Sequence, residues 1–176
     1  MKSLTQFIQE KLIIKKSNQY KYFPKTKKEL KDIILQRIKE EGNGVDLNDI
    51  DVSKITDMSN LFSKCSDFNG DISNWDVSNV IDMHGMFYKC TNFNKDISKW
   101  DVSNVENMAW MFGGCKNFNS DISNWDVSNV KDMRFMFCYC KSFNQDISKW
   151  DVSNVKFKTY IFLNCPIKNE YKPKFK

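Results

Sequence analysis

Apolar positions along this chain fall into columns that return every 25 residues. Trp75, Trp100, Trp125 and Trp150 form one column, and Ile72, Ile97, Ile122 and Ile147 another. Met58, Met83, Met108 and Met133 keep the same phase, as do Phe62, Phe87, Phe112, Phe137 and Phe162. A second Phe column stands at Phe68, Phe93, Phe118 and Phe143. Polar columns march with them: Asp-Val-Ser begins at Asp51, Asp76, Asp101, Asp126 and Asp151. A fixed period of this length marks a repeat architecture, in which one unit cannot bury its own apolar face and stacking does it instead.

Residues 68–90 show what one unit should look like. Phe68, Gly70 and Ile72 alternate with Asn69 and Asp71, the period of a strand. Ser73-Asn74 and Ser78-Asn79 read as bends around a short extended piece at Trp75 and Val77. Val80, Met83, Met86, Phe87 and Cys90 then recur at steps of three and four, a helical spacing. The expectation is an α/β repeat solenoid of about five coils, each with a short parallel strand and a short helix. The strands should lie at 68–72, 93–97, 118–122 and 143–147, with adjacent coils about 5 Å apart.

The ends need caps, because terminal units would otherwise expose core. Thr26-Lys27-Lys28-Glu29 has the form of a capping box. Leu30, Ile33, Ile34 and Ile38 follow on one face and Gly42 is a natural stop, so 26–41 is predicted helical. A weaker box, Ser3-Leu4-Thr5-Gln6, predicts a helix over 3–13. Leu47 and Ile50 hold the columns of Ile72 and Trp75, so a degenerate unit begins near Asp46. At the far end Phe175 keeps the Trp150 phase, so a last strand is expected there, and Pro173 suits an exposed edge. The organisation read from the sequence is a helical cap at 1–45, the solenoid at 46–165 and a C-terminal cap at 166–176.

Charge changes the picture in one respect. The net charge is +5, but residues 46–165 carry 12 Lys+Arg against 16 Asp+Glu, which is −4. Both ends are basic. An acidic body does not suit nucleic acid. No run is apolar enough to insert in a membrane, and residues 1–10 lack the apolar centre of an export signal. A cytoplasmic location, or exit by another route, is expected.

Candidate chemistry is sparse. Cys65, Cys90, Cys115, Cys140 and Cys165 form one column without a C-x₂-C pair, which predicts packed, free thiols and no zinc site. Cys138 stands off the column and reads as the exposed thiol. A triad or His-based metal site lacks partners, since His84 is the only histidine. The Asp columns allow stacked cation sites, but acceptance of backbone N–H bonds at bends is the reading preferred. No enzyme activity, metal or cofactor is implied. What varies from unit to unit is a helix-side strip that gathers His84, Tyr88, Trp110, Arg134, Phe135, Tyr139 and Tyr160. Aromatics beside Arg are the residue types of interface hot spots.

The run Met-x-x-Met-Phe-x-x-Cys-x-x-Phe-Asn-x-Asp-Ile-Ser-x-Trp-Asp-Val-Ser-Asn-Val at 83–105, and with small variation at 108–130, resembles the repeat of the BspA-like leucine-rich-repeat surface proteins. The resemblance covers roughly 46–165. It implies a leucine-rich-repeat-type solenoid used for binding, often on bacterial surfaces; short members are associated with phage and mobile elements. The function expected is therefore a monomeric, non-catalytic scaffold that binds a protein or glycan. The alternative is a structural component of a phage virion or bacterial surface assembly.

Overall fold

Helix α1, Lys27–Glu41, packs at the N-terminal side of the stacked units in a computed structural model that describes residues 19–175. Thr26 caps it, its Oγ1 accepting the Glu29 N–H at 3.2 Å, and Glu29 Oε2 reaches back to the Lys25 N–H at 2.7 Å. Gly42 ends it at φ 86°, its N–H donating to Ile38 O. Leu30 and Ile34 are fully buried against the first unit, with Ile33 and Ile38 packed beside them. Arg37, also buried, is bonded to Glu41, to Asp49 Oδ1 at 2.8 Å and to Asp46 O at 2.9 Å. The helix expected at 26–41 is thus present; the one expected at 3–13 lies outside the described residues.

Behind α1 the 25-residue units stack in register. Equivalent rings lie face to face from unit to unit: Phe62, Phe87, Phe112, Phe137 and Phe162 at 5.4–5.7 Å, and Trp100, Trp125 and Trp150 at 6.5 Å. Each of the four in-phase indoles donates to a main-chain carbonyl 28 residues earlier, Trp100 Nε1 to Ile72 O at 3.2 Å for example. Cys90, Cys115 and Cys140 bond in the same way, Cys115 Sγ to Phe87 O at 2.8 Å. All six cysteines are free.

The α/β solenoid expectation is overturned, and with it the leucine-rich-repeat architecture. Among the described residues the units contain neither strand nor α-helix; the chain is mostly turns and irregular backbone, with one α-helix, one short 3₁₀ turn and six isolated parallel bridges that build no sheet. The strands fail because side chains intercept the hydrogen bonds they need. The N–H groups of Asn94, Asn119 and Asn144 go to the Oδ1 of Asn69, Asn94 and Asn119, not to main-chain carbonyls. Asp71, Asp96, Asp121 and Asp146 then each accept the N–H of the Ser two residues on and bend the chain.

The helix fails for a different reason. Met83, Gly85, Phe87 and Lys89 donate their N–H groups to Asn107, Ala109, Met111 and Gly113 of the next unit at 2.8–2.9 Å. Within the unit only i→i+3 bonds remain, such as Met86 N to Met83 O and Cys90 N to Phe87 O. The steps of three and four therefore mark successive β-turns. Their third residues, Gly85 (φ 59°) and Lys89 (φ 60°), are left-handed, which no α-helix tolerates. Equivalent bonds join every neighbouring pair of units, from Met58–Asp82 to Tyr139–Leu163.

At the C-terminal end the expected last strand is replaced by the 3₁₀ turn Asn169–Tyr171, whose Tyr171 O receives the Ile147 N–H. Pro173 is buried, not an exposed edge.

Candidate aromatic groove on the turn face

The left-handed positions decide the geometry of the turn face. One column reads Asn60, Gly85, Trp110, Phe135, Tyr160, with φ of 55–59° throughout. The other reads Lys64, Lys89, Gly114, Tyr139, Asn164, with φ of 55–78°. Gly and Asn are the residues such positions favour; a bulky side chain there is strained by about 1–2 kcal/mol. Four of the seven residues singled out from the sequence therefore occupy strained backbone: Trp110, Phe135, Tyr139 and Tyr160.

Their rings come together. Trp110 stacks on Phe135 at 4.2 Å and 11°, and Phe135 meets Tyr160 at 5.4 Å. Tyr88 sets an edge against Trp110 at 5.3 Å. Gly113 lets the Trp110 ring lie down on its own unit, since a Cβ there would come within 2.7 Å of Cε3. Tyr88, Trp110 and Tyr139 then wall a half-open groove of about 710 Å³ with Lys64, Lys89, Lys116, Ser66, Thr91, Gly114 and Cys138. A smaller groove of about 320 Å³ shares Lys64, Tyr88 and Trp110 and contains His84.

Two of the predicted residues stand apart. Arg134 is paired with Asp132 (2.6 Å) and lies over Phe157 (5.0 Å), away from the main groove. Tyr160 is 59% exposed and joins only through Phe135. Cys138, expected to be exposed, is 2% exposed, and burial pushes its thiol pKa up. The lysines are what sequence reading missed. Lys64 and Lys89 lie one period apart, a signal that was available.

The remaining candidates are structural. In the second Asp column Asp76, Asp101, Asp126 and Asp151 each accept the Ser N–H two residues on, at 3.0–3.3 Å, as the preferred reading expected. Burial raises the thiol pKa of Cys90, Cys115 and Cys140. No grouping of three His, Cys, Asp or Glu able to hold a metal occurs among the described residues.

No curated protein and no solved structure matches the chain. A family model does, over two overlapping stretches, 29–119 and 96–173; its description is "Mycoplasma protein of unknown function, DUF285". The match spans α1 and the stacked units together, and the chain belongs to the DUF285 family.

Proposed function

We propose that this chain is a non-catalytic binding module whose partner, a protein or a glycan, seats in the groove walled by Tyr88, Trp110 and Tyr139. The surface setting implied by the BspA-like resemblance is part of the same proposal. One observation carries the reading: Trp110, Phe135 and Tyr139 sit on left-handed backbone where sister units place Gly85, Asn60 or Gly114. The fold is served better by the smaller residues, so the strain points to a use outside the fold. Large rings clustered on one face are also the residue types that dominate interface energetics. The non-catalytic part is supported by a single imidazole, by Asp side chains committed to turn N–H groups, and by thiols pushed away from the reactive thiolate.

The test compares wild type with Trp110→Gly/Phe135→Gly, a change the backbone angles favour. Both proteins are put through a displayed-peptide selection and a glycan array. Wild type should enrich ligands that the folded variant loses. Retention of every ligand by the variant would move the site elsewhere.

A further inference from the structure

The groove is basic on a body that is not. Its lining carries Lys64, Lys89 and Lys116 and no carboxylate, although residues 46–165 hold 16 Asp+Glu against 12 Lys+Arg. Most of those acids lie at the bends and turns, bonded to N–H groups of their own units. Asp67, next to Ser66, is bonded to Asn92 at 3.3 Å. Side-chain hydroxyls of Ser66 and Thr91 add neutral donors beside the ammonium groups.

Each ring that walls the groove has one face already engaged. Phe135 covers a face of Trp110, and Gly113 lies close against Cε3. Lys89 Nζ sits over Tyr88 at 5.1 Å and Lys141 Nζ over Tyr139 at 5.5 Å. A sugar ring stacking on these platforms would compete with those contacts for a face. The rim of an aromatic ring carries the positive side of its quadrupole, which suits carboxylate oxygens. Spacing points the same way. Equivalent buried rings, which report the rise from unit to unit, are 5.4–6.5 Å apart, and alternate side chains of an extended peptide repeat at roughly 6.6 Å.

Resting on the binding reading above, we propose that the occupant is an extended acidic peptide, with carboxylates at alternate positions meeting Lys64 and Lys89 on successive units and Lys116 beyond. Apolar parts of the same peptide lie along the rims of Tyr88 and Trp110.

Trp110 reports occupancy directly, because the other four indoles are only 4–6% exposed. The probes are a short capped peptide of alternating Glu and Thr, its Lys-for-Glu counterpart, and a linear oligogalacturonate as acidic glycan. The Glu-Thr peptide should shift Trp110 fluorescence and protect it from acrylamide. Its affinity should fall about tenfold as salt rises from ~0.05 to ~0.3 M. Lys64→Glu/Lys89→Glu/Lys116→Glu should abolish binding, and the matching Arg variant should keep it; all three side chains are exposed, so both should fold. No binding of the Glu-Thr peptide, equal binding of the Lys-Thr peptide, a response to oligogalacturonate alone, or full binding by the charge-reversed variant would each overturn the inference. Groove-dependent ligands that prove neutral or basic would sink it while leaving the binding module intact; no groove-dependent ligand at all would remove both.

Discussion

Two aromatic ladders run side by side through the stacked units. The inner one repeats the same residue, Phe87, Phe112 and Phe137, at 5.7 Å, fully buried, with none of its members at positive φ. The outer one changes residue at every rung, Trp110, Phe135 and Tyr160, at 4.2 and 5.4 Å, half-buried at the first two rungs, exposed at the last and left-handed throughout. Ring stacking is common to both, yet only the inner ladder is demanded by the fold. Every unit needs the buried ring to fill the space beneath its neighbours, whereas Gly85 and Asn60 show that the outer rung stands without one. Stacking is thus a poor guide to structural necessity; burial and backbone conformation discriminate better.

The largest effect that separates the ladders is truncation. Phe112 lies between Phe87 and Phe137 and on Phe118 at 4.0 Å, and Trp100 stacks on Trp125 while its indole bonds Ile72 O. Phe112→Ala and Trp100→Ala should each destabilise by about 3–5 kcal/mol in urea melts. The same change at Trp110 should come well below that. Equal losses at Trp100 and Trp110 would place the outer ladder in the core.

A finer discrimination reverses a common rule. In ordinary backbone Ala is more stable than Gly by about 0.5–1 kcal/mol. At Trp110 and Phe135 the φ angles of 59° and 58° should invert the order, with Gly exceeding Ala by about 1 kcal/mol. Paired melts of the Gly and Ala variants read the sign. Ala above Gly would mean that the turn face has relaxed out of its left-handed form.

The smallest effect concerns the bends that hold the inner ladder. The Ser73 N–H keeps the Asp71 pKa below the usual carboxylate range, and the Ser98, Ser128 and Ser148 hydroxyls chiefly do so for Asp96, Asp126 and Asp146. With the folded pKa depressed, this stabilisation is complete above the unfolded value of about 3.9 and is lost as pH falls through the folded values. Asn keeps the accepting oxygen without the charge, as Asn107 does in the neighbouring column. Converting Asp71, Asp96, Asp126 and Asp146 to Asn should flatten the loss of stability below about pH 4 and lower neutral-pH stability modestly, by the charge-dependent part of these bonds. An unaltered acid limb would assign it to other carboxylates.

The repeat, its columns and the α1 cap were legible in the sequence because period, capping box and Gly stop are local and chemical. Secondary structure within the unit was not, because periodicity reports which residues face inward and not how the backbone delivers them there. Steps of three and four at Met83, Met86, Phe87 and Cys90 suit turns as well as a helix. The decisive signal was the recurrence of Gly or Asn at Asn60, Gly85, Gly114 and Asn164, the residues that left-handed positions favour. Asn69, Asn94 and Asn119, whose amide oxygens displace the strand ladder, were equally visible, but their role depends on a neighbour 25 residues away. The proposed groove was half legible: its aromatic rungs stood out through their variability, while Lys64, Lys89 and Lys116 were not singled out, because a lone surface Lys carries no pattern until the fold gathers it with others.

Bonding between units has a mechanical consequence. Each unit is held to the next by a short row of parallel N–H···O contacts on the turn face, backed by one indole bond and one thiol bond. Tension applied along the chain from the C-terminal end meets these rows in sequence, each loaded only after the previous one has opened. The molecule should behave as a serial tether that yields in steps, each releasing one 25-residue unit of roughly 85 Å at full extension, so that a pull too strong for one row lengthens the protein before it endangers α1.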